Sequence, residues 1–155
     1  MEQARLVAQA VLDRMGRQAP AWTVLHVGWT QQPTVGRPGD DEIHLYSWHS
    51  GRPPGLDEGS GHQQLSVVLG SADEAVGGTV TAYYPLYLQA AEAIVVLASQ
   101  IQDHASEAEI SWGRSLPPCP GHNHPLRAHV VEGIAVWECP STPDHHREPI
   151  LSTPR

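Results

Sequence analysis

LYLQAAEAIVVLASQIQDH, residues 86–104, has the clearest helical periodicity in the chain. Its apolar side chains recur three or four positions apart, which places them on one stripe of an α-helix. Pro85 precedes the segment and suits a helix start, because proline has no N–H to leave unpaired there. The stretch therefore predicts a long amphipathic helix. The residues on its apolar stripe are Leu86, Ala90, Ala93, Ile94, Leu97 and Ile101.

A second helix and four strands are predicted before this helix. Residues 2–18 show the same three- and four-residue spacing of apolar side chains, and Gly16 with Pro20 ends that segment. Four short segments between the helices are rich in β-branched and aromatic residues, as strands are. The predicted strands span residues 21–29, 43–50, 63–70 and 79–85.

The connections between these strands favour antiparallel pairing. Parallel neighbours need a crossover of a dozen or more residues, usually helical, and Pro and Gly exclude a helix from the long connections here. After the central helix, two β-type runs flank Glu132-Gly133, a hairpin turn signal. We therefore predict an α+β fold: an antiparallel four-stranded sheet with the N-terminal and central helices on one face, plus a C-terminal β-hairpin appendage.

The same reading divides the chain into three parts. Residues 1–109 are expected to form the α+β domain, and residues 110–146 the hairpin appendage, which would resemble a zinc ribbon. Residues 147–155 are expected to be a flexible tail, because termini rich in polar residues and proline are poorly ordered unless they are tied down.

Composition excludes several classes of function. The formal net charge is −8, so a phosphate-binding surface for nucleic acid is not expected. All nine basic residues are arginines, which excludes Schiff-base chemistry and the lysine of a phosphate-binding loop. No apolar run is long enough to cross a membrane, and the first residues lack the apolar core of a signal peptide. We expect a cytoplasmic protein.

The C-terminal part carries a candidate metal site. Cys119 and His122 have the C-x2-H spacing of a metal knuckle, in which a tight turn brings two ligands onto one ion. Between them, Gly121 permits the backbone twist and Pro120 stiffens the entry. His124 competes with His122 for the same position.

The predicted hairpin returns Cys139 close to where the first knuckle begins. His145 and His146 follow six and seven residues later, so the second half of the site has no fixed ligand spacing. Two thiolates and two imidazoles form a tetrahedral set that suits zinc. The predicted cofactor is a structural zinc ion, and the candidate ligands are Cys119, His122, His124, Cys139 and His145.

Two other interpretations of the cysteines stay open from the sequence. They could form a disulfide, although a cytoplasmic compartment would keep them reduced. They could also be small buried apolar residues, as free cysteines often are. If zinc is bound by four protein ligands the site is structural, whereas three ligands leave a position for a catalytic water.

The segment C-P-G-H-x-H-P-L, followed by G-I-A-V-W-E-C-P, resembles the C-terminal segment of small actinobacterial proteins with no established activity. The resemblance covers residues 119–140. It implies a shared metal or turn motif and carries no activity with it.

The sequence shows no nucleophile, dinucleotide or metalloprotease motif. The leading hypothesis is a non-enzymatic binding or adaptor protein that docks a protein partner, with zinc as a structural element. Exposed Trp and Tyr side chains flanking the sheet would be the first contact residues to test. Alternatives are a small zinc-dependent hydrolase, with an open metal and a carboxylate such as Glu138, and an acidic phage- or defence-associated protein that imitates nucleic acid.

Overall fold

The computed structural model describes residues 1–30, 63–71 and 78–151. Within these ranges no helix combines the length and apolar character needed to cross a bilayer. The helices are α1 (Glu2–Met15) and α2 (Ala90–Glu107), with short 3-10 turns at Gly16–Gln18 and Glu109–Ser111. The strands are β1 (Trp22–Trp29), β2 (Gln64–Ser71), β3 (Val80–Pro85), β4 (Arg127–Val131), β5 (Ile134–Glu138) and β6 (Arg147–Pro149).

The first sheet is antiparallel, with strand order β1-β2-β3. Val27 lies opposite Val67, and Val67 lies opposite Ala82, so these three side chains share one face. The register shifts between Val24 and His26, where β1 carries an extra residue. The predicted α+β class and antiparallel pairing are confirmed. The predicted strand over residues 43–50 lies outside the described residues, so a four-stranded sheet stays a prediction.

One face of this sheet packs against both helices to form the core. Strand side chains alternate between faces, so every second residue of β2 points inward. Buried apolar residues of α1 and α2 cover those side chains. Of the predicted α2 stripe, Leu86 and Ala90 are exposed, and the buried members are Ala93, Ile94, Leu97 and Ile101. The buried core residues of these elements include Val7, Val11, Met15, Leu65, Val67, Leu69, Ala82, Leu97 and Ile101.

Helix α2 begins four residues later than its apolar stripe predicts. A capping box sets its start: the Gln89 side chain accepts from the backbone N–H of Glu92, and the Gln89 N–H donates to the Glu92 carboxylate at 3.3 Å. These bonds satisfy donors that a helix end leaves unpaired. The predicted first turn, residues 86–89, therefore lies outside the helix.

Side chains of α2 also contact the backbone of β3 on the side that faces away from β2. The Gln100 amide accepts from the Tyr83 N–H at 3.0 Å and donates to the Tyr83 carbonyl at 3.3 Å. One turn later, His104 Nε2 lies 3.3 Å from the Thr81 carbonyl. Backbone groups of β3 that point away from β2 thus find partners on the helix.

A second antiparallel sheet has strand order β4-β5-β6. Glu132 and Gly133, at φ 50° and 78°, form the two-residue connection between β4 and β5, and positive φ at both positions is typical of a type I′ turn. The sheet extends beyond the predicted hairpin, because β6 pairs with β5. Residues 147–149, expected in a flexible tail, form that strand, and Ile150 after it is only 5% exposed.

The second sheet shares its core with the helices. Leu126, Trp137, Cys139 and Ile150 belong to the same cluster of buried residues as the apolar stripe of α2. Helix α2 lies against β3 of the first sheet and against β4 and β5 of the second. The loops at the ends of β4, β5 and β6 are therefore carried by the main core of the protein.

Candidate metal centre

Four side chains converge where the second sheet meets the loop before β4. Each of Cys119, His122, His124 and Cys139 offers one ligand atom, and these four atoms all lie within 4.8 Å of one another. The two cysteines are free and buried, at 4% and 0% exposure, and the two histidines are half-buried. Among the residues that the structure describes, this is the group of His, Cys, Asp and Glu side chains placed to hold a metal ion.

Three sulfur–nitrogen distances within the cluster are close to the edge length of a zinc tetrahedron. His122 Nδ1 lies 3.6 Å from Cys119 Sγ and 3.4 Å from Cys139 Sγ. His124 Nε2 lies 3.8 Å from Cys139 Sγ. With Zn–S near 2.3 Å and Zn–N near 2.0–2.1 Å, tetrahedral coordination sets neighbouring sulfur and nitrogen atoms about 3.6 Å apart. The side chains are therefore spaced for one ion.

The first ligand loop, residues 119–124, is a tight turn whose two ends are hydrogen-bonded to each other. The N–H of His122 donates to the Cys119 carbonyl, and the N–H of Cys119 donates to the His124 carbonyl, both at 3.3 Å. Gly121 has φ 78°, a left-handed conformation that glycine adopts without a Cβ penalty. Pro118 and Pro125 form an antiparallel bridge beneath the turn. The loop therefore presents Cys119, His122 and His124 toward one point.

The second ligand loop follows β5 directly. The N–H of Cys139 donates to the His146 carbonyl at 3.0 Å, which holds the start of the loop against its end. The N–H of Thr142 donates to Cys139 Sγ at 3.3 Å. This backbone donor fixes the position of the sulfur atom at the start of the loop.

Hydrogen bonds orient the His124 imidazole. Its Nδ1 lies 3.1 Å from the Pro125 carbonyl, and since a carbonyl only accepts, Nδ1 carries the proton. The Nε2 lone pair then faces Cys139 Sγ and Ser141, whose Oγ lies 3.2 Å away. Ligating histidines commonly donate their other ring nitrogen to a carbonyl in this way.

His145 lies beside the four ligand atoms and contacts the first loop. Its Nε2 is hydrogen-bonded to the Pro120 carbonyl, and its ring packs on that of His122 with centroids 4.3 Å apart. His146 is directed elsewhere, with Nε2 3.5 Å from the Glu148 carboxylate. Of the two candidates for the first loop, the structure brings both His122 and His124 to the cluster.

Burial affects the pKa of two of the four side chains in the cluster, Cys119 and His122. Burial raises the pKa of the Cys119 thiol, the hydrogen bond and charge of Cys139 raise it further, and the Arg14 guanidinium lowers it. Burial also lowers the pKa of His122, and the neighbouring His145 and His124 lower it further. A neutral imidazole is ready to coordinate a metal ion. A thiol that coordinates a dication releases its proton to the solvent.

The Glu138 carboxylate, considered above as a catalytic group, is held by two arginines. Oε1 accepts from Nε and Nη2 of Arg147 at 3.0 and 2.6 Å, and Oε2 accepts from Arg127 at 3.4 Å. The Arg147 hydrogen bonds hold the pKa of Glu138 below its usual value, burial opposes them, and Arg127 lowers the pKa further. Arg127 of β4 and Arg147 of β6 both lie directly opposite Glu138 of β5, so the carboxylate links the three strands of the second sheet.

Two polar residues that support the site lie far from it in sequence. Gln102 on α2 donates to the carbonyls of Leu116 and Leu126, which lie on either side of the first ligand loop in the sequence. Arg14 on α1 donates to the Glu148 carboxylate and to the Pro118 carbonyl. Neither belongs to a local motif, so no pattern in the sequence could have indicated them.

Comparison with family models, with curated proteins and with solved structures finds no match to this chain. The arrangement of its own side chains is therefore the basis on which a function can be assigned.

Proposed function

We propose that this chain is a non-enzymatic binding protein whose C-terminal sheet is stabilised by a structural zinc ion. The ligands are Cys119, His122, His124 and Cys139. The observation that carries the proposal is the mutual spacing of the four ligand atoms, which all lie within 4.8 Å, with three sulfur–nitrogen separations of 3.4–3.8 Å.

The donor set favours zinc over other metals. Mg²⁺ and Ca²⁺ prefer oxygen ligands, whereas two thiolates with two imidazoles suit a tetrahedral zinc ion. Two thiolates also balance the charge of the dication, so the buried centre is neutral overall.

A structural role is better supported than a hydrolytic one. Four protein ligands fill a tetrahedron and leave no position for a reactive water, which a catalytic zinc requires. The one carboxylate next to a ligand, Glu138, is engaged by Arg147 and Arg127. These observations favour the binding protein over the zinc-dependent hydrolase.

The ion would connect two parts of the chain. Three ligands lie in the loop before β4, and the fourth lies in the loop after β5. Since β4 and β5 already pair, the metal would fix the loops at the open end of the hairpin. Structural zinc in small units contributes directly to folding in this way.

A protein partner is part of the same proposal. Trp29 and Trp112 are 58% and 69% exposed, and the Trp112 indole N–H donates to the Glu107 carbonyl of its own chain. Large exposed aromatic side chains anchor many protein interfaces. Trp29→Ser and Trp112→Ser variants are the first to compare in a binding assay, once a partner has been isolated.

Metal content tests the zinc site directly. Elemental mass spectrometry of untagged protein is expected to give about one zinc per chain, and a Cys119→Ser, Cys139→Ser double variant is expected to have none. His124→Ala should reduce zinc content, whereas His129→Ala, an exposed histidine of β4 outside the cluster, should not. Wild-type protein without metal after growth and dialysis in zinc would refute the proposal.

A further inference from the structure

One side chain of the N-terminal helix, Arg14, contacts residues next to both ligand loops. Arg14 lies in the last turn of α1, 104 residues before Pro118 and 134 before Glu148. Its Nε donates to the Glu148 carboxylate, and its Nη2 donates to the Pro118 carbonyl at 3.4 Å. The side chains of Arg14 and Glu148 are 27% and 34% exposed, so the pair is partly shielded from water.

Each contact leads directly to a ligand. Pro118 immediately precedes Cys119, and its bridge with Pro125 closes the first loop. Glu148 lies on β6 opposite Trp137 of β5. Trp137 is two residues before Cys139 in the sequence. The Arg14 guanidinium thus joins the base of the first loop to the strand pair that carries the second.

We propose that Arg14 is a positioning residue of the metal centre, holding the two ligand loops at the separation that four-coordinate zinc requires. This inference rests on the proposed zinc site. It adds that α1, which supplies no ligand, sets the affinity of that site.

The chemistry of arginine fits this role. A guanidinium presents several donors in a rigid planar fork, so one side chain reaches a carboxylate and a carbonyl in a fixed geometry. A lysine supplies the same charge as a single flexible point and cannot reproduce the fork.

Loss of residues that orient metal ligands typically lowers metal affinity by about 10- to 100-fold. Arg14→Gln is therefore expected to weaken zinc binding by about that factor. The ligands themselves would be unchanged, so the bound metal should keep its tetrahedral geometry. Arg14→Lys should lie between wild type and Arg14→Gln. Arg17→Gln removes an exposed arginine of the next turn and is expected to bind as wild type does.

The experiment is a Co²⁺ titration of the full chain, followed by displacement with zinc in competition with a chromophoric chelator. Wild type should give the intense visible absorption of tetrahedral cobalt with sulfur ligands. If it does not, the zinc site itself fails, and the role of Arg14 falls with it. If wild type and Arg14→Gln both give this spectrum and their zinc affinities agree within about 2-fold, the positioning role is refuted while the site stands.

A second variant covers the case in which Arg14→Gln does not fold. Glu148→Gln keeps Arg14 but removes the charged partner that orients it. Far-ultraviolet circular dichroism at saturating zinc establishes whether each variant is folded. Folded Glu148→Gln with weakened zinc affinity supports the inference, and wild-type affinity in that variant overturns it.

Discussion

Replacement of Gln102 by Ala is expected to loosen the base of the first ligand loop and to destabilise the protein. Gln102 Nε2 donates to the carbonyls of Leu116 and Leu126, with nitrogen–oxygen distances of 2.7 and 2.8 Å. Both carbonyls lie beside leucines that are 1% and 0% exposed. Alanine leaves these acceptors without their donor in a place where water enters poorly.

The expected loss follows from these two bonds. A neutral intramolecular hydrogen bond contributes about 0.5–1.5 kcal/mol net, so two contribute about 2 kcal/mol. Alanine has a higher helix propensity than glutamine, which returns a few tenths of a kcal/mol. The net decrease in the free energy of unfolding is therefore about 1.5–2 kcal/mol.

Urea unfolding, followed by circular dichroism with and without zinc, measures this difference. Gln9→Ala on α1 is the matched control, because the Gln9 side chain donates to the exposed Asp13 side chain at 2.8 Å, its one hydrogen bond within the described part of the chain, and the helix-propensity change is the same. The control is expected to stay within about 0.5 kcal/mol of wild type. If Gln102→Ala unfolds at the same urea concentration as Gln9→Ala, the two carbonyl contacts do not hold the loop, and the reasoning is wrong.

Further substitutions test the sheet, the core and the ligand loop. Glu138→Gln should lower the free energy of unfolding at neutral pH by about 1–2 kcal/mol, since charge-assisted bonds are lost from arginines that are themselves about half exposed; an unchanged midpoint in urea would show that the ion pairs contribute nothing. Leu97→Ala removes a side chain with 0% exposure and should cost about 2–5 kcal/mol in the same assay. Gly121→Ala and Gly133→Ala each place a Cβ at φ 78° and should each cost about 1–2 kcal/mol. Only Gly121→Ala should also weaken Co²⁺ binding in a spectroscopic titration; equal cobalt affinities would separate the first loop from the metal site.

Local periodicity was sufficient to predict most elements. The apolar stripes of α1 and α2 and the strands near residues 21–29, 63–70 and 79–85 all appear in the structure with small shifts. The start of α2 was placed too early because Gln89 is not among the common capping residues, and its reciprocal bonds with Glu92 have no strong sequence signal. β6 was not predicted because Arg147–Pro149 has no β-type pattern and becomes a strand only through pairing with β5.

The candidate site divides in the same way. The C-x2-H spacing and the turn at Glu132-Gly133 indicated that Cys119, His122 and Cys139 would meet, because both features are local. Whether His124 or His145 faces the cysteines depends on how the loops fold. The Pro125 carbonyl holds His124 Nδ1 and the Pro120 carbonyl holds His145 Nε2, and neither contact is visible in the sequence. The supporting residues on α1 and α2 act across long sequence separations, for which a single sequence offers no signal.

The Gln100 amide also bears on how the protein behaves at high concentration. An outer strand with bare backbone groups is a template onto which another copy can add, and growth by that route leads to fibrils. The Gln100 side chain supplies to the Tyr83 backbone the donor and the acceptor that an incoming strand would present. The N–H and the carbonyl of Tyr83 are therefore already hydrogen-bonded. Helix α2 therefore occupies backbone groups of β3 that face away from β2, and we expect these bonds to limit self-association through that strand.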